Sequence, residues 1–266
     1  MRRVFLALMC FLSACDSGDA LVYSEGGKWV KPNFEIHADL SFSCVHERVP
    51  ELPADADRVF RYARWLQKNN QLKRDPTVNV QVERLYRIAT ENGHYKANVN
   101  LQNGAMRGHF KLSGREHLRL SEQLINENIA TGYYFVAIFL KQGSAGLRAD
   151  KEMSLRYYRK AADAGNAHAQ AYVADKLAPI DSAPDIAEQM RRCAAGQGEK
   201  GAAVKLAVHL KSKKRYREAL EMLQVGAAAG GSTAAGRLEE AFSAPAPDND
   251  MYYLAQLEDR ERARRY

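Results

Sequence analysis

The chain has 266 residues and a formal charge of +7, a length that suits one continuous domain. The charge sits largely in two runs, Lys211 to Arg217 (KSKKRYR) and Arg260 to Arg265 (RERARR). Such runs read as solvated helix faces, so basicity alone carries no nucleic-acid reading. A basic face also suits anionic headgroups or an acidic partner, whose encounter it would speed.

Arg2 and Arg3 precede an apolar run, Val4 to Leu12, then Ser13, Ala14 and Cys15. A basic start, a short apolar stretch and small residues form a secretory signal. The run is too short for a bilayer span, which takes about 20 residues. Leu12-Ser13-Ala14-Cys15 resembles the bacterial lipobox. That resemblance implies cleavage after residue 14 and lipidation of Cys15, several acyl chains making a durable anchor. Asp16, in the lipoproteins this resembles, marks retention at the inner membrane, facing the periplasm. Export also excludes nucleic acid as the target.

Cys44 and Cys193 then remain in the body of the protein. An oxidising compartment permits a disulfide. Cys193, however, lies in a helical pattern, MRRCAAG, where a buried free thiol is the expected state.

Residues 15–53 are polar and irregular, punctuated by Gly26, Gly27, Pro32, Pro50 and Pro53. WVKPNFEIHADLSFSC alternates apolar and polar residues, which fits an extended segment or a short hairpin. The segment either packs along the first helical hairpin or tethers the protein to the membrane. A helix begins after Pro53, with Asp55 or Asp57 as its cap, and Pro76 separates it from NVQVERLYRIATENG.

From there a small-residue run, a glycine and an alanine four places later recur. They appear as Ala89, Gly93, Ala97; Ala162, Gly165, Ala169; Ala195, Gly198, Ala202; and Ala227, Gly230, Ala234. Gly132 reads as a fifth member, with Ala137 one place late. Successive glycines are 39, 33, 33 and 32 residues apart, and a period in the low thirties marks stacked helical hairpins. Glycine just past a helix tolerates the left-handed conformation that ends it. Alanine keeps helix propensity high and lets helices approach. Val136, Phe139 and Leu140 give one helix its apolar face. Met153, Leu155 or Arg156, Tyr158 and Ala162 give the next, with Asp150 as its cap. GHFKLSGREHLRLSE reads as an insertion in the repeat that begins near Ala97. The prediction is an all-α superhelical solenoid over 54–243. Residues 244–266 follow, where APAPDND breaks helix and MYYLAQLEDRERARRY forms a terminal capping helix.

The best-formed repeat, Gly132 to Asp175, resembles the Sel1-like repeat, a relative of the tetratricopeptide repeat. The match is carried by Gly143, Gly146, Leu147, Asp150, Tyr157 to Ala162, Gly165, Asn166, Ala169 and Gln170. It is weaker over 86–108 and 198–230.

Chemistry is sparse. His109-Phe110-Lys111 with Glu116 echoes the phospholipase D signature, with glutamate in place of aspartate. His94-Tyr95-Lys96 has Leu101 in the acid position. Such enzymes pair two complete copies, so no catalytic residue is assigned. His37, Cys44 and His46 lack a second ligand cluster, and no phosphate loop appears. No cofactor or metal is expected.

Solenoids of this kind bind proteins through aromatic and arginine hot spots. Positions on the first helix of each hairpin line the binding face, which selects Asn98, Asn100, Tyr134, Lys141, Gln170 and Lys205 as partner contacts. A lipidated Sel1-like protein with a divergent N-terminal portion resembles the immunity proteins paired with phospholipase D-type lipase effectors of type VI secretion. That resemblance implies a periplasmic inhibitor that binds a delivered toxin. The alternative is an envelope scaffold that organises cell-wall or signalling proteins.

Overall fold

The computed structural model describes residues 41–179 and 184–266, and two short strands before them. Residues 1–34 and 35–266 form separate compact units. In the first, β1 (Val22–Tyr23) pairs antiparallel with β2 (Trp29–Val30). The signal run, Cys15, Asp16 and His37 lie outside the described residues.

The second unit is a solenoid of helical hairpins. The pairs are α1 (Ala54–Asn69) with α2 (Pro76–Glu91), α3 (Tyr95–Met106) with α4 (Gly114–Asn126), and α5 (Thr131–Gln142) with α6 (Lys151–Asp163). They continue as α7 (Ala167–Leu177) with α8 (Pro184–Gly196) and α9 (Lys200–Ser212) with α10 (Tyr216–Ala228). The helices α11 (Ser232–Phe242) and α12 (Arg260–Ala263) close the series. Each helix packs chiefly on the one before and the one after, the nearest-neighbour pattern of a solenoid.

Local chemistry sets the helix boundaries. Side chains of His94, Ser113, Asp150, Asn166 and Glu199 each accept the backbone N–H three residues on, satisfying one of the donors a helix start leaves free. Asp75 does the same for α2 through Thr77. Val136, Phe139 and Leu140 are buried, as are Met153, Tyr158 and Ala162.

Five sequence expectations change. The left-handed turn before α5 is made by Asn128, at φ +58°, and not by Gly132. Asparagine tolerates that conformation better than most residues. Gly132 sits inside α5, where a Cβ would stand 2.6 Å from the Ser121 carbonyl oxygen, so it permits close helix approach. The supposed insertion is the α3–α4 turn and the first half of α4. The first helix has Pro53 at its cap position, with no side-chain cap; Asp55 pairs with Arg58, and Asp57 with Arg61 and His94. The C-terminal helix shrinks to the four residues of α12. Tyr253 instead packs edge-on against Tyr216, and Leu254 joins the terminal core with Phe242. Finally, residues 41–47 lie against α5 to α8, not along the first hairpin.

Candidate partner-binding face

Helices α5, α7 and α9, with Tyr158 of α6 and Arg191 of α8, carry a connected set of aromatic and charged side chains. The ring of Tyr134 stands 5.8 Å from Tyr158, edge to face, and 5.7 Å from His168. Tyr158 stacks on Tyr172 at 3.8 Å. The Lys141 and Lys176 ammonium groups lie 4.9 and 5.6 Å from the centre of the Tyr172 ring, a favourable cation–π arrangement. Asp175 accepts from Arg191 at 3.0 Å and pairs with Lys205. Burial raises the pKa of the Tyr134 hydroxyl, with a lesser push from Glu199. Burial also raises that of Tyr158, with its tyrosine neighbours adding to it.

Tyr134, Lys141 and Lys205 thus fall on one surface: the buried Tyr158 links Tyr134 to Tyr172, and nearer the surface the joining residues are Tyr172 and Asp175. Sequence reasoning missed these two. Their signal was present in AHAQAYVADK, where His168, Tyr172, Asp175 and Lys176 recur at helical spacing on one face of α7.

The other expected contacts are elsewhere. Asn98 is fully buried and donates to the Leu120 carbonyl at 2.9 Å, while Gln102 donates to Asn98 at 2.8 Å. It braces α3 on α4 and offers nothing to a partner. Asn100 is half-buried near the Tyr86 hydroxyl. Gln170 is also fully buried. Its amide donates to the Val45 carbonyl at 2.8 Å and the Ala162 carbonyl at 3.1 Å, and its oxygen accepts from Gln197 at 2.9 Å.

Gln170 holds a strap formed by residues 41–47. Arg159 donates to the Ser41 carbonyl at 2.6 Å. Glu47 accepts from the Thr131 hydroxyl at 2.8 Å, and its N–H donates to Gln197 at 3.2 Å. Asn166, which caps α7, reaches the same threonine at 2.9 Å. Cys44 and Cys193 form a disulfide across 149 positions of sequence, so the free-thiol expectation is corrected. The helical setting of Cys193 is as expected, but the strap delivers a second thiol to it. His46 completes a group of three ligand-type atoms within 4.8 Å. With both sulfurs bonded to each other, neither is a thiolate, the form that binds metal.

The phospholipase D echo does not assemble. His109 is exposed, Phe110 is core, and Glu116 is paired with Arg87. A Cβ on Gly104 would lie 2.1 Å from the Phe110 ring, so the middle residue of the motif is a packing residue.

No protein-family model and no curated protein matches the chain. Solved structures do. Immunity protein PA5088 from Pseudomonas aeruginosa is 27% identical, with a TM-score of 0.66, covering 85% of this chain and 84% of its own. Immunity protein Pa5087 from the same organism is 25% identical, with a TM-score of 0.66, over 85% of each chain. A Sel1 repeat protein from Oxalobacter formigenes is 17% identical, with a TM-score of 0.54, over 79% of this chain and 85% of its own; that likeness carries fold alone. The chain has a Sel1-type solenoid fold and resembles Pseudomonas immunity proteins.

Proposed function

We propose that this protein is an immunity protein that binds a secreted effector and silences it, acting by occupancy and not by turnover. The observation that carries the reading is the 25–27% identity, over 85% of the chain, to two proteins named as immunity proteins. We further propose that the effector is a phospholipase D-type lipase delivered by type VI secretion. The protein waits for it in the periplasm, held by lipid on Cys15 at the inner membrane. The lipobox-like LSAC and Asp16 support that location, since an anchored antidote is concentrated at the surface a lipase attacks.

The tyrosines of the face, Tyr134 and Tyr172, support binding, since tyrosine is enriched at hot spots. The test is a pull-down against the product of the gene next to this one, followed by a lipase assay of that product. A one-to-one complex without lipase activity is expected. Tyr172→Ala should weaken it about 30-fold, the size of a hot-spot truncation, with a circular dichroism melt to confirm that the variant is folded. A complex that leaves the lipase active would turn the reading towards an envelope scaffold.

A further inference from the structure

A cavity of about 630 Å³ opens near the end of the array, between the α9–α10 turn, α11 and the loop that precedes α12. Lys211, Lys214 and Arg237 line it, against one carboxylate, Asp250. Nearby arginines are neutralised: Arg192 and Arg215 both pair with Glu188 and Glu218. Among the described residues, the three cavity cations form no ion pair. Arg237 is fixed by donating to the Met251 carbonyl at 3.1 Å. Burial holds the pKa of Lys211 down, Asp250 opposing and Arg237 adding to the effect, so an arriving anion would relieve the repulsion.

Lys214 sits in the α9–α10 turn at φ +58°, as Arg74 does in the α1–α2 turn at φ +54°. That turn places Lys214 in the lining of the cavity. Val208 and Met251 line the same cavity and are 42% and 56% exposed. Apolar side chains beside lysines and arginines are the chemistry of a membrane–water interface. The two basic runs of the sequence also lie at this end, one across the α9–α10 turn and one over α12.

We propose that this cavity holds the phosphate group of an anionic phospholipid headgroup. Lys211, Lys214 and Arg237 face the phosphate oxygens, and Val208 and Met251 meet the apolar boundary below. The inference rests on the membrane-anchored reading above. The 26 residues from Cys15 to Leu40 reach at most roughly 90 Å when fully extended. An anchored chain therefore samples the bilayer at high effective concentration, and weak headgroup affinity suffices.

The test uses the mature chain carrying Cys15→Ser, so that no acyl chain contributes. It is sedimented with phosphatidylcholine vesicles, with and without phosphatidylglycerol. Binding is expected only with phosphatidylglycerol, and should fade with salt. The triple variant Lys211→Gln, Lys214→Gln, Arg237→Gln should weaken it by about 10- to 100-fold, given the contribution of each cation near an anionic surface. The control Arg107→Gln, Arg115→Gln, Lys151→Gln removes the same charge from exposed sites elsewhere and should leave binding intact. Circular dichroism melts of both variants confirm folding. Equal loss in the two variants, or no vesicle binding, overturns the proposal. So does competition by inorganic phosphate at the affinity of the vesicles, which would make this a free-phosphate site. Loss of lipase binding in the cavity variant, with vesicle binding unchanged, would assign the cavity to an acidic protein segment and overturn the proposal too. Vesicle binding needs no effector, so its failure and failure of the immunity reading are separate results.

Discussion

Gly165 shows two demands meeting on one residue. Its φ of +102° ends α6 in a conformation that side chains rarely adopt, and the repeat pattern already asks for glycine there. The second demand is the strap: a Cβ would stand 2.4 Å from the His46 carbonyl carbon and 2.5 Å from the Glu47 nitrogen. Gly198 has a similar backbone, φ +88°, with open space around it. Gly198→Ala should therefore cost the conformational part alone, about 1 kcal/mol, and Gly165→Ala roughly 2–4 kcal/mol as the strap is pushed away. Denaturant midpoints of the two variants decide this; equal losses would mean that the strap yields freely.

At the scale of elements, the strap is a long-range clamp over α5 to α8. Its backbone satisfies side chains that the array has already buried, Arg159 and Gln170 above all. The Cys44–Cys193 bond closes a loop of 149 positions. Loop-closure entropy for such a span sets an upper contribution of about 5 kcal/mol, with 2–5 kcal/mol usual for a native disulfide. Cys44→Ser with Cys193→Ser should lower unfolding stability by that amount, and reductant should do the same to the wild type. The readout is the denaturant midpoint, with hydrogen exchange expected to rise in α5 to α8 first. An unchanged midpoint would show that hydrogen bonds alone hold the strap.

Across the molecule, stability should depend on pH through two buried histidines. His94 caps α3 from a fully buried site and stacks on Phe60 at 4.2 Å. His117 is buried edge-on against Phe139 at 5.1 Å. Burial lowers both pKa values from 6.5, the Asp57 hydrogen bond partly opposing at His94. The unfolded chain then binds more protons than the folded one as pH falls below 6.5, so stability drops with acidification and levels off above it. A melting temperature that declines from pH 7 to pH 5 is expected. His94→Asn, which keeps a capping side chain, together with His117→Gln should reduce that decline and leave the share of His209, whose pKa burial also lowers. A slope unaffected by both changes would place the titration elsewhere.

The solenoid was legible in the chain because its rules are local. A cap such as Asp150, a turn glycine such as Gly165 and an apolar stripe such as Val136, Phe139 and Leu140 act within about one turn of helix, and a thirty-residue period repeats them. Tyr134, Lys141 and Lys205 could be placed on one face for the same reason. Asn128 in place of Gly132 was missed because two residue types satisfy one left-handed turn, while a glycine inside a helix serves contact. Polarity suggested that Asn98 and Gln170 face a partner, yet a polar side chain is buried readily once its hydrogen bonds are met. Whether they are met depends on Leu120 and on Val45, 22 and 125 positions away. The C-terminal segment is helical by propensity but pays more into the core as a bent chain, with Leu254 buried against the last helices. Sequence alone therefore determined the repeat, its helices and its turns, which neighbours in the chain enforce. Tertiary structure decided the disulfide, the strap and the cationic cavity, because each joins groups whose meeting no local periodicity encodes.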